Sequence, residues 1–376
     1  MGQRSMFREN RDRPLIAVAM SGGVDSSVAA ALLVERGYRV VGLTLKLWDY
    51  DRMGGNVRHE STCCSVDDIW DARAVAEQLG IPHYVVDARA EFEARVVRSF
   101  EEEYLHGRTP NPCVLCNSEV KWRVLLRKAL SLGAQYFATG HYARILYDAD
   151  RRRYLLLRAR DPSKDQSYAL WALRQEQLQY TLLPLGELSK GQVRELAGRL
   201  GLRTANKADS QEICFVPDND YRRYLRERFG SRAMAEGEIV DLAGNVIGRH
   251  QGYVNFTIGQ RRGLGVSLGK PAYVVDIRPE ENRVVVGGRE ALLSRGLVAD
   301  RLNWISIPAL EEPMRVWVKT RYRDRGSWAT IFPGDDGGVQ VEFEEPQAAV
   351  TPGQSVVFYE GDAVVGGGVI ARRLPT

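Results

Sequence analysis

The chain has 376 residues, a length that suggests two to three domains and leaves ample room for a buried core. Apolar residues make up 44% and charged residues 27%, and 52 basic against 48 acidic side chains leave a net charge of +4. That balance excludes a disordered or collagen-like chain and is compatible with a polyanionic partner.

No stretch approaches the ~18 apolar residues of a membrane span. Residues 1–14 mix Arg4, Arg8, Arg11 and Arg13 with Glu9 and Asp12 and contain no apolar core of a secretory signal. Five cysteines are too few, and odd in number, for a secreted disulfide framework. The expected location is the cytoplasm, with no membrane partner.

Leu15 to Met20 is a continuous apolar run between Pro14 and Ser21-Gly22-Gly23, and predicts a buried parallel strand. Ser26 to Arg36 is rich in Ala and Leu and stops at Gly37, which predicts a helix with a glycine C-terminal cap. Tyr38 to Leu47 reads as the next strand. Ser65 with Asp68 resembles a capping box opening a helix over Val66 to Leu79. Tyr84 to Asp87 is a third strand, Lys121 to Leu132 a helix closed by Gly133, and Tyr136 to Thr139 a fourth strand leading into Gly140-His141. This alternation predicts an α/β fold with a doubly wound parallel sheet over the first half of the chain.

From about Met234 onward, short β-type runs punctuated by glycine take over, among them Ala272 to Asp276, Arg283 to Val286, Val316 to Val318, Val339 to Phe343 and Ser355 to Phe358. They predict small β modules ending in a C-terminal β-barrel. The expected division is a catalytic domain over 1–210, a small central domain over 211–285 and the barrel over 286–376.

Ser21-Gly22-Gly23-Val24-Asp25-Ser26-Ser27 lies between the first strand and the first helix. Two glycines let backbone N–H groups turn around an oxyanion, and the helix N-terminus adds positive potential. Asp25 would repel a bare phosphate, so its place there makes sense as a holder of Mg²⁺ on pyrophosphate. The Gly-Lys-Ser/Thr of γ-phosphate-transferring loops is absent. A serine-capped glycine turn without a ligand is the plainer reading of the same residues.

The loop SGGVDSS after an apolar strand resembles the PP-loop of the ATP pyrophosphatases, an adenine nucleotide alpha hydrolase-like superfamily that splits ATP between its α and β phosphates and adenylates a substrate oxygen. Two cysteine segments narrow the likeness: Thr109-Pro110-Asn111-Pro112-Cys113-Val114-Leu115-Cys116-Asn117, read as a loop before the Lys121 helix, and Ser210-Gln211-Glu212-Ile213-Cys214-Phe215. With Ala138 to Ala143, Lys164 to Tyr168, Phe256 to Leu264 and Arg321-Tyr322-Arg323, they are similar to the tRNA-uridine 2-sulfurtransferase (2-thiouridylase) family, in order and over nearly the whole chain.

The resemblance implies ATP-dependent adenylation of O2 of the wobble uridine 34, then sulfur transfer to give 2-thiouridine, AMP and pyrophosphate. Cys214 would carry the sulfur as a persulfide and Cys116 would act as the nucleophile that releases it, leaving a Cys116–Cys214 disulfide to be reduced. The ATP site would use Ala19, Met20, Ser21, Gly22, Gly23, Val24, Asp25 and Ser26, with Leu45 and Gly140 on the adenine side. Asn111, Pro112 and Cys113 would meet the target base, and His141, Lys164, Asp165, Gln166, Arg321, Tyr322, Arg323 and Gln354 would contact tRNA. Implied partners are tRNAs for Lys, Glu and Gln, and a cysteine desulfurase or sulfur-relay protein.

One position departs from the family pattern: Cys113 stands where Asp is usual, making a Cys113-x-x-Cys116 pair. Three readings stay open. Cys113 is a tolerated substitute, a local redox partner of Cys116, or, with Cys116 and Cys214, a ligand of a [4Fe–4S] cluster. The persulfide route is preferred. Cys63 and Cys64 are adjacent and, with His59, lack a second ligand pair at zinc-finger spacing. Rival readings are another PP-loop tRNA-modifying ligase, which needs no reactive cysteine pair, and a noncatalytic nucleotide- or RNA-binding protein.

Overall fold

The computed structural model describes residues 13–48, 66–208, 213–216, 218, 220–230, 234–266, 269, 271–334 and 336–376. The expectations placed on His59, Cys63, Cys64, Ser65 and Ser210 to Glu212 lie outside them. The chain divides into two compact units. One comprises Met1–Val96, Cys113–Asn219 and Asp362–Val364; the other comprises Val97–Pro112, Asp220–Gly361 and Val365–Thr376.

The first unit is built on a parallel sheet. β1 (Leu15–Ala19), β2 (Arg39–Lys46), β3 (His83–Asp87), β4 (Tyr136–Ala138) and β7 (Thr181–Leu182) run in the order β3-β2-β1-β4-β7. β1 is central, with Ile16 opposite both Val40 and Tyr136. Ile16, Ala17 and Val18 are fully buried, which is why the strand reads as an unbroken apolar run. The order reverses between β1 and β4, so the loops leaving these two strands flank the crevice where open α/β sheets bind ligands.

α1 (Val24–Glu35) starts two residues before the predicted Ser26. It buries Val24, Val28, Ala29, Ala30, Ala31 and Leu33. Its end is a glycine cap: Gly37 adopts φ +77° and its N–H reaches the Val34 carbonyl at 2.8 Å. α2 (Val66–Gln78) packs Ala72, Val75 and Ala76 into the same core.

Two features differ from the predicted elements. Residues 112–131 form a continuous helical run, α-helical over Pro112–Leu115, π-helical over Cys116–Leu125 and α-helical again over Leu126–Ser131. Cys113 and Cys116 therefore stand on a helix rather than in a loop. Pro112 at the first position suits a helix start, since its missing N–H would have no partner there anyway. Trp122 anchors the π segment: it is 1% exposed, donates to Thr181 Oγ1 at 2.7 Å and meets Phe137 edge-on at 5.7 Å. The second difference is an antiparallel hairpin, β5 (Ala143–Asp148) with β6 (Arg153–Arg158), which the sequence pattern did not reveal. The later helices are α3 (Arg98–Leu105), α4 (the run 112–131) and α5 (Lys190–Arg199), the last capped by a reciprocal Ser189–Gln192 box.

The second unit is mostly β. β8 (Glu236–Val240), β9 (Val246–Gln251), β10 (Tyr273–Arg278) and β11 (Arg283–Gly287) form a four-stranded sheet in the order β10-β11-β8-β9. Its core is Ile239, Phe256, Leu264, Val274, Val284 and Val286. Six strands follow: β12 (Leu293–Trp304), β13 (Met314–Lys319), β14 (Ser327–Pro333), β15 (Val339–Ala348), β16 (Ser355–Glu360) and β17 (Ala363–Pro375). Their order β12-β15-β14-β13-β16-β17 closes through β12–β17 pairing into a six-stranded barrel, as predicted for the C-terminus. Inward-facing Leu297, Val316, Val318, Ile331, Val341, Val356, Phe358 and Ile370 fill it.

Two of the arginines of α6 (Tyr221–Phe229) are paired within this unit. Arg228 pairs with Glu101 of α3 at 2.8 Å, and Arg223 pairs with Glu227 at 2.6 Å.

Candidate active site

The loop after β1 is braced by its own side chains. Ser26 Oγ accepts from the Ser21 N–H at 3.1 Å and donates to the Gly23 carbonyl at 3.1 Å; Ser27 Oγ donates to the same carbonyl at 2.8 Å. Gly22 holds φ +71°, and a Cβ there would collide with the backbone carbonyl of Asp68 in the first turn of α2. Gly140, just beyond β4, lies so close to α1 that a Cβ would stand 2.6 Å from the Ser26 nitrogen and 2.7 Å from the Asp25 carbonyl carbon. Glycine is thus required at both loops because backbone meets backbone. Met20 and Leu45 are 2% and 4% exposed, so they have little side chain to offer a ligand. Ser21 is exposed, and Ala19 and Gly23 are half-buried.

Asp25 is the charged centre of the loop. Lys190, the first residue of α5, reaches its two carboxylate oxygens at 2.7 and 2.8 Å, and Tyr142 donates its hydroxyl to Oδ1 at 2.7 Å. The lysine side chain is 12% exposed and that of Asp25 30%. The Lys190 backbone is itself held, its N–H donating to Asp161 Oδ2 at 3.1 Å. Sequence reasoning missed Lys190; it lies 165 positions from Asp25, and a lysine at a helix start carries no mark of such a partner. Asp25, a hard oxygen donor with part of its surface open, fits a Mg²⁺ ion, and Lys190 fits the phosphates that would accompany it.

His141 follows Gly140. Its Nδ1 lies 2.8 Å from Thr139 Oγ1 and its ring 5.4 Å from that of Trp122. Burial first, and the Lys121 charge second, hold its pKa well below 6.5. A neutral imidazole results. The side chains of Asp165 and Gln166 are engaged internally: Asp165 accepts from the Ala159 N–H and from Ser167, and Gln166 Oε1 accepts from the Tyr142 N–H at 2.9 Å. Gln166 thereby supports the tyrosine that holds Asp25. Lys164 is half-buried.

The three described cysteines all belong to the first unit and none is disulfide-bonded. Cys113 is exposed at the start of α4, Cys116 is buried one turn later, and Cys214 is half-buried. A helix N-terminus favours the thiolate of cysteines in its first turns. Cys214 sits in a turn closed by Val216 N–H to the Ile213 carbonyl at 3.0 Å, and next to Phe215, which is 1% exposed and meets Phe92 edge-on at 5.6 Å. Among the described residues no group of three or more His, Cys, Asp or Glu is placed to hold a metal ion.

In the second unit, Gln354 gives both amide protons away, to the carbonyls of Thr109 at 2.9 Å and Pro110 at 3.0 Å. It holds the turn that leads to Asn111 and Pro112. Arg321, Tyr322 and Arg323 are all exposed, in the turn between β13 and β14.

Three family matches cover most of the chain: the tRNA methyl transferase HUP domain over 15–218, the tRNA methyl transferase PRC-barrel domain over 222–288 and the aminomethyltransferase beta-barrel domain over 294–370. The tRNA-specific 2-thiouridylase MnmA of Heliobacterium modesticaldum is 54% identical over 360 residues, 96% of this chain and 93% of that one. Its namesake from Acetivibrio thermocellus is 53% identical over 94% of this chain and 98% of that one. A solved 4-thiouridine synthetase–RNA complex with bound ATP is 17% identical with a TM-score of 0.34, over 58% of this chain and 51% of that one, a likeness too distant to argue from. Identity above one half along nearly the full length of both chains is decisive: the chain belongs to the tRNA-specific 2-thiouridylase family.

Proposed function

We infer that this protein is a tRNA 2-thiouridylase, an ATP-dependent sulfurtransferase that replaces O2 of uridine 34 by sulfur. The observation that carries the reading is the pairing of an Asp25–Lys190 phosphate loop with cysteines of graded exposure in the same unit, in a chain 54% identical to a 2-thiouridylase. ATP would lie against Ala19 to Ser26, with Leu45 and Gly140 toward the adenine. Mg²⁺ on Asp25 would offset the charge of the leaving pyrophosphate, and Lys190 would supply a second cation for it.

Attack of uridine O2 on the α-phosphate releases pyrophosphate and makes O2 a leaving group. The terminal sulfur of a Cys214 persulfide then bonds to C2 as AMP departs. Cys116 thiolate attacks Cys214 Sγ, the persulfide S–S bond breaks, and its electron pair stays on the transferred sulfur. The product is 2-thiouridine with a Cys116–Cys214 disulfide, which an external thiol must reduce. Asn111, Pro112 and Cys113 would meet the base; His141, Lys164, Arg321, Tyr322 and Arg323 would contact tRNA, and Asp165, Gln166 and Gln354 would act by holding those surfaces in place. The serving partners are tRNAs for Lys, Glu and Gln and a cysteine desulfurase or relay protein, in the cytoplasm, with the chain divided at about 210 and 285.

The test is nucleoside analysis of tRNA after incubation with ATP, Mg²⁺, a cysteine desulfurase and the protein. The wild type should form 2-thiouridine, and Cys116→Ser and Cys214→Ser should form none; product from either variant overturns the assigned roles. The [4Fe–4S] reading of Cys113, Cys116 and Cys214 is tested by anaerobic purification with iron and sulfide assay, where a stoichiometric cluster required for turnover would displace the thiol route.

A further inference from the structure

Residues 108–111, between α3 and α4, belong to no helix or strand, yet they are tied down at several points within the second unit. Arg108 closes on Glu103 of α3 through two parallel bonds, Nε to Oε2 at 2.7 Å and Nη2 to Oε1 at 2.9 Å. The Thr109 N–H donates to the Pro352 carbonyl at 2.9 Å, and Gln354 donates to the Thr109 and Pro110 carbonyls. Pro110 and Pro112 are buried on either side of the half-buried Asn111.

The barrel meets this segment with unusual backbone. Arg301 stands at a bulge of β12, between Asp300 and Asn303, and holds φ +51°, a left-handed conformation that residues with a side chain avoid. Its guanidinium lies 3.4 Å from Glu103 Oε1. Gly353, in the turn between β15 and β16, holds φ +88°, and a Cβ there would stand 2.9 Å from the Thr109 carbonyl oxygen and 3.0 Å from Glu103 Oε2. Glu103 is where these contacts meet. Its side chain is 9% exposed and is shared by Arg108 and Arg301, the partners a buried carboxylate needs. Strained backbone persists where its surroundings over-determine it, and it gathers at functional sites.

We propose that Glu103 is a positioning residue: with the barrel turn at Gly353 and Gln354, it sets the segment that presents Asn111 to the target uridine. The proposal rests on the reading of Asn111 and Pro112 as the base contact. It predicts a split between kcat and KM. Misplacement of a reacting group by about 1 Å costs on the order of a hundredfold, and Glu103→Gln, whose amide cannot accept from both arginines as a carboxylate does, should lose about that factor in kcat for 2-thiouridine formation. KM for tRNA should stay within about twofold of wild type, since the loss falls on the reacting geometry. Gln354→Leu should show the same split. The double variant should lose less than the product of the two, because both act on one segment. A carboxylate that only stabilises the fold would instead lower the thermal midpoint and leave kcat of the folded protein unchanged.

The measurement is steady-state 2-thiouridine formation over a range of tRNA concentrations, with ATP, Mg²⁺ and a cysteine desulfurase, below the thermal midpoint of each protein. The proteins compared are wild type, Glu103→Gln, Gln354→Leu, the double variant and Asn111→Ala. Wild-type kcat in Glu103→Gln, a loss confined to KM for tRNA, or losses in the two single variants that simply multiply would sink the proposal. Should Glu103→Gln fail to fold, Arg301→Met, which leaves both Arg108 bonds in place, carries the same test through a smaller loss in kcat alone. Wild-type kcat in Asn111→Ala would instead bring down the reading on which the proposal rests. A low kcat in Asn111→Ala beside wild-type kcat in Glu103→Gln and Arg301→Met removes this proposal alone.

Discussion

At the scale of the residue, the carboxylate of Asp25 decides what the phosphate loop can do. Between Lys190 and the Tyr142 hydroxyl it is neutralised and oriented, which a bare phosphate site would not need. Lys190→Met leaves that carboxylate with the tyrosine and, on the proposed function, would take a cation away from the pyrophosphate. Loss of one such electrostatic group costs about 10²-fold in rate, to be read as tRNA-dependent pyrophosphate release; a rate within experimental error of wild type would remove Lys190 from the site.

His141 makes a second prediction at this scale. Its folded-state pKa lies well below 6.5, and those of His83 and His250 are also lowered, each chiefly by burial. The unfolded chain takes up protons near pH 6.5 that the folded chain refuses, so stability is level above that pH and falls as pH drops below it. The thermal midpoint should decline between about pH 7.5 and 5.5, and His141→Asn should flatten the decline. An unchanged slope in that variant would contradict a neutral, buried His141.

At the scale of the element, the strands and helices that enclose the loop were legible because their signals are local. Leu15 to Met20 is apolar without interruption, and Gly37 and Gly133 mark helix ends. What escaped was non-local or ambiguous. Cys113 and Cys116 read from the sequence as part of a loop before the Lys121 helix, whereas Pro112 starts a helix whose π segment is held by Trp122 on Thr181. The β5–β6 hairpin carries charged residues at its ends, Arg144 and Arg158 among them, and lacks a strong turn dipeptide. Lys190 and Arg301 find their partners across more than a hundred positions, where no spacing rule reaches.

Gly22 reads from the sequence as a phosphate-loop glycine, and the structure gives a separate reason for glycine there. Gly22→Ala would put a side chain at φ +71° against the Asp68 carbonyl. The left-handed conformation alone costs about 1–2 kcal/mol, and the collision adds to it. Denaturant titration should show at least that loss, with pyrophosphate release abolished; a variant as stable and active as wild type would mean the loop does not rest on α2.

At the scale of the molecule, a parallel-sheet unit carries the phosphate loop and the described cysteines, and a second unit carries the β sheet, the closed barrel and the exposed Arg321-Tyr322-Arg323 turn. The chemistry assigned to the first unit requires that thiols 98 positions apart become bonded once per turnover. Cys214 is half-buried rather than locked in the core, which that exchange demands. The most direct measurement is a single turnover with persulfide-loaded protein, ATP and tRNA in the absence of reductant, followed by alkylation and a non-reducing peptide map. A Cys116–Cys214 disulfide should accumulate in step with 2-thiouridine. Full alkylation of both cysteines after 2-thiouridine has formed would contradict the account.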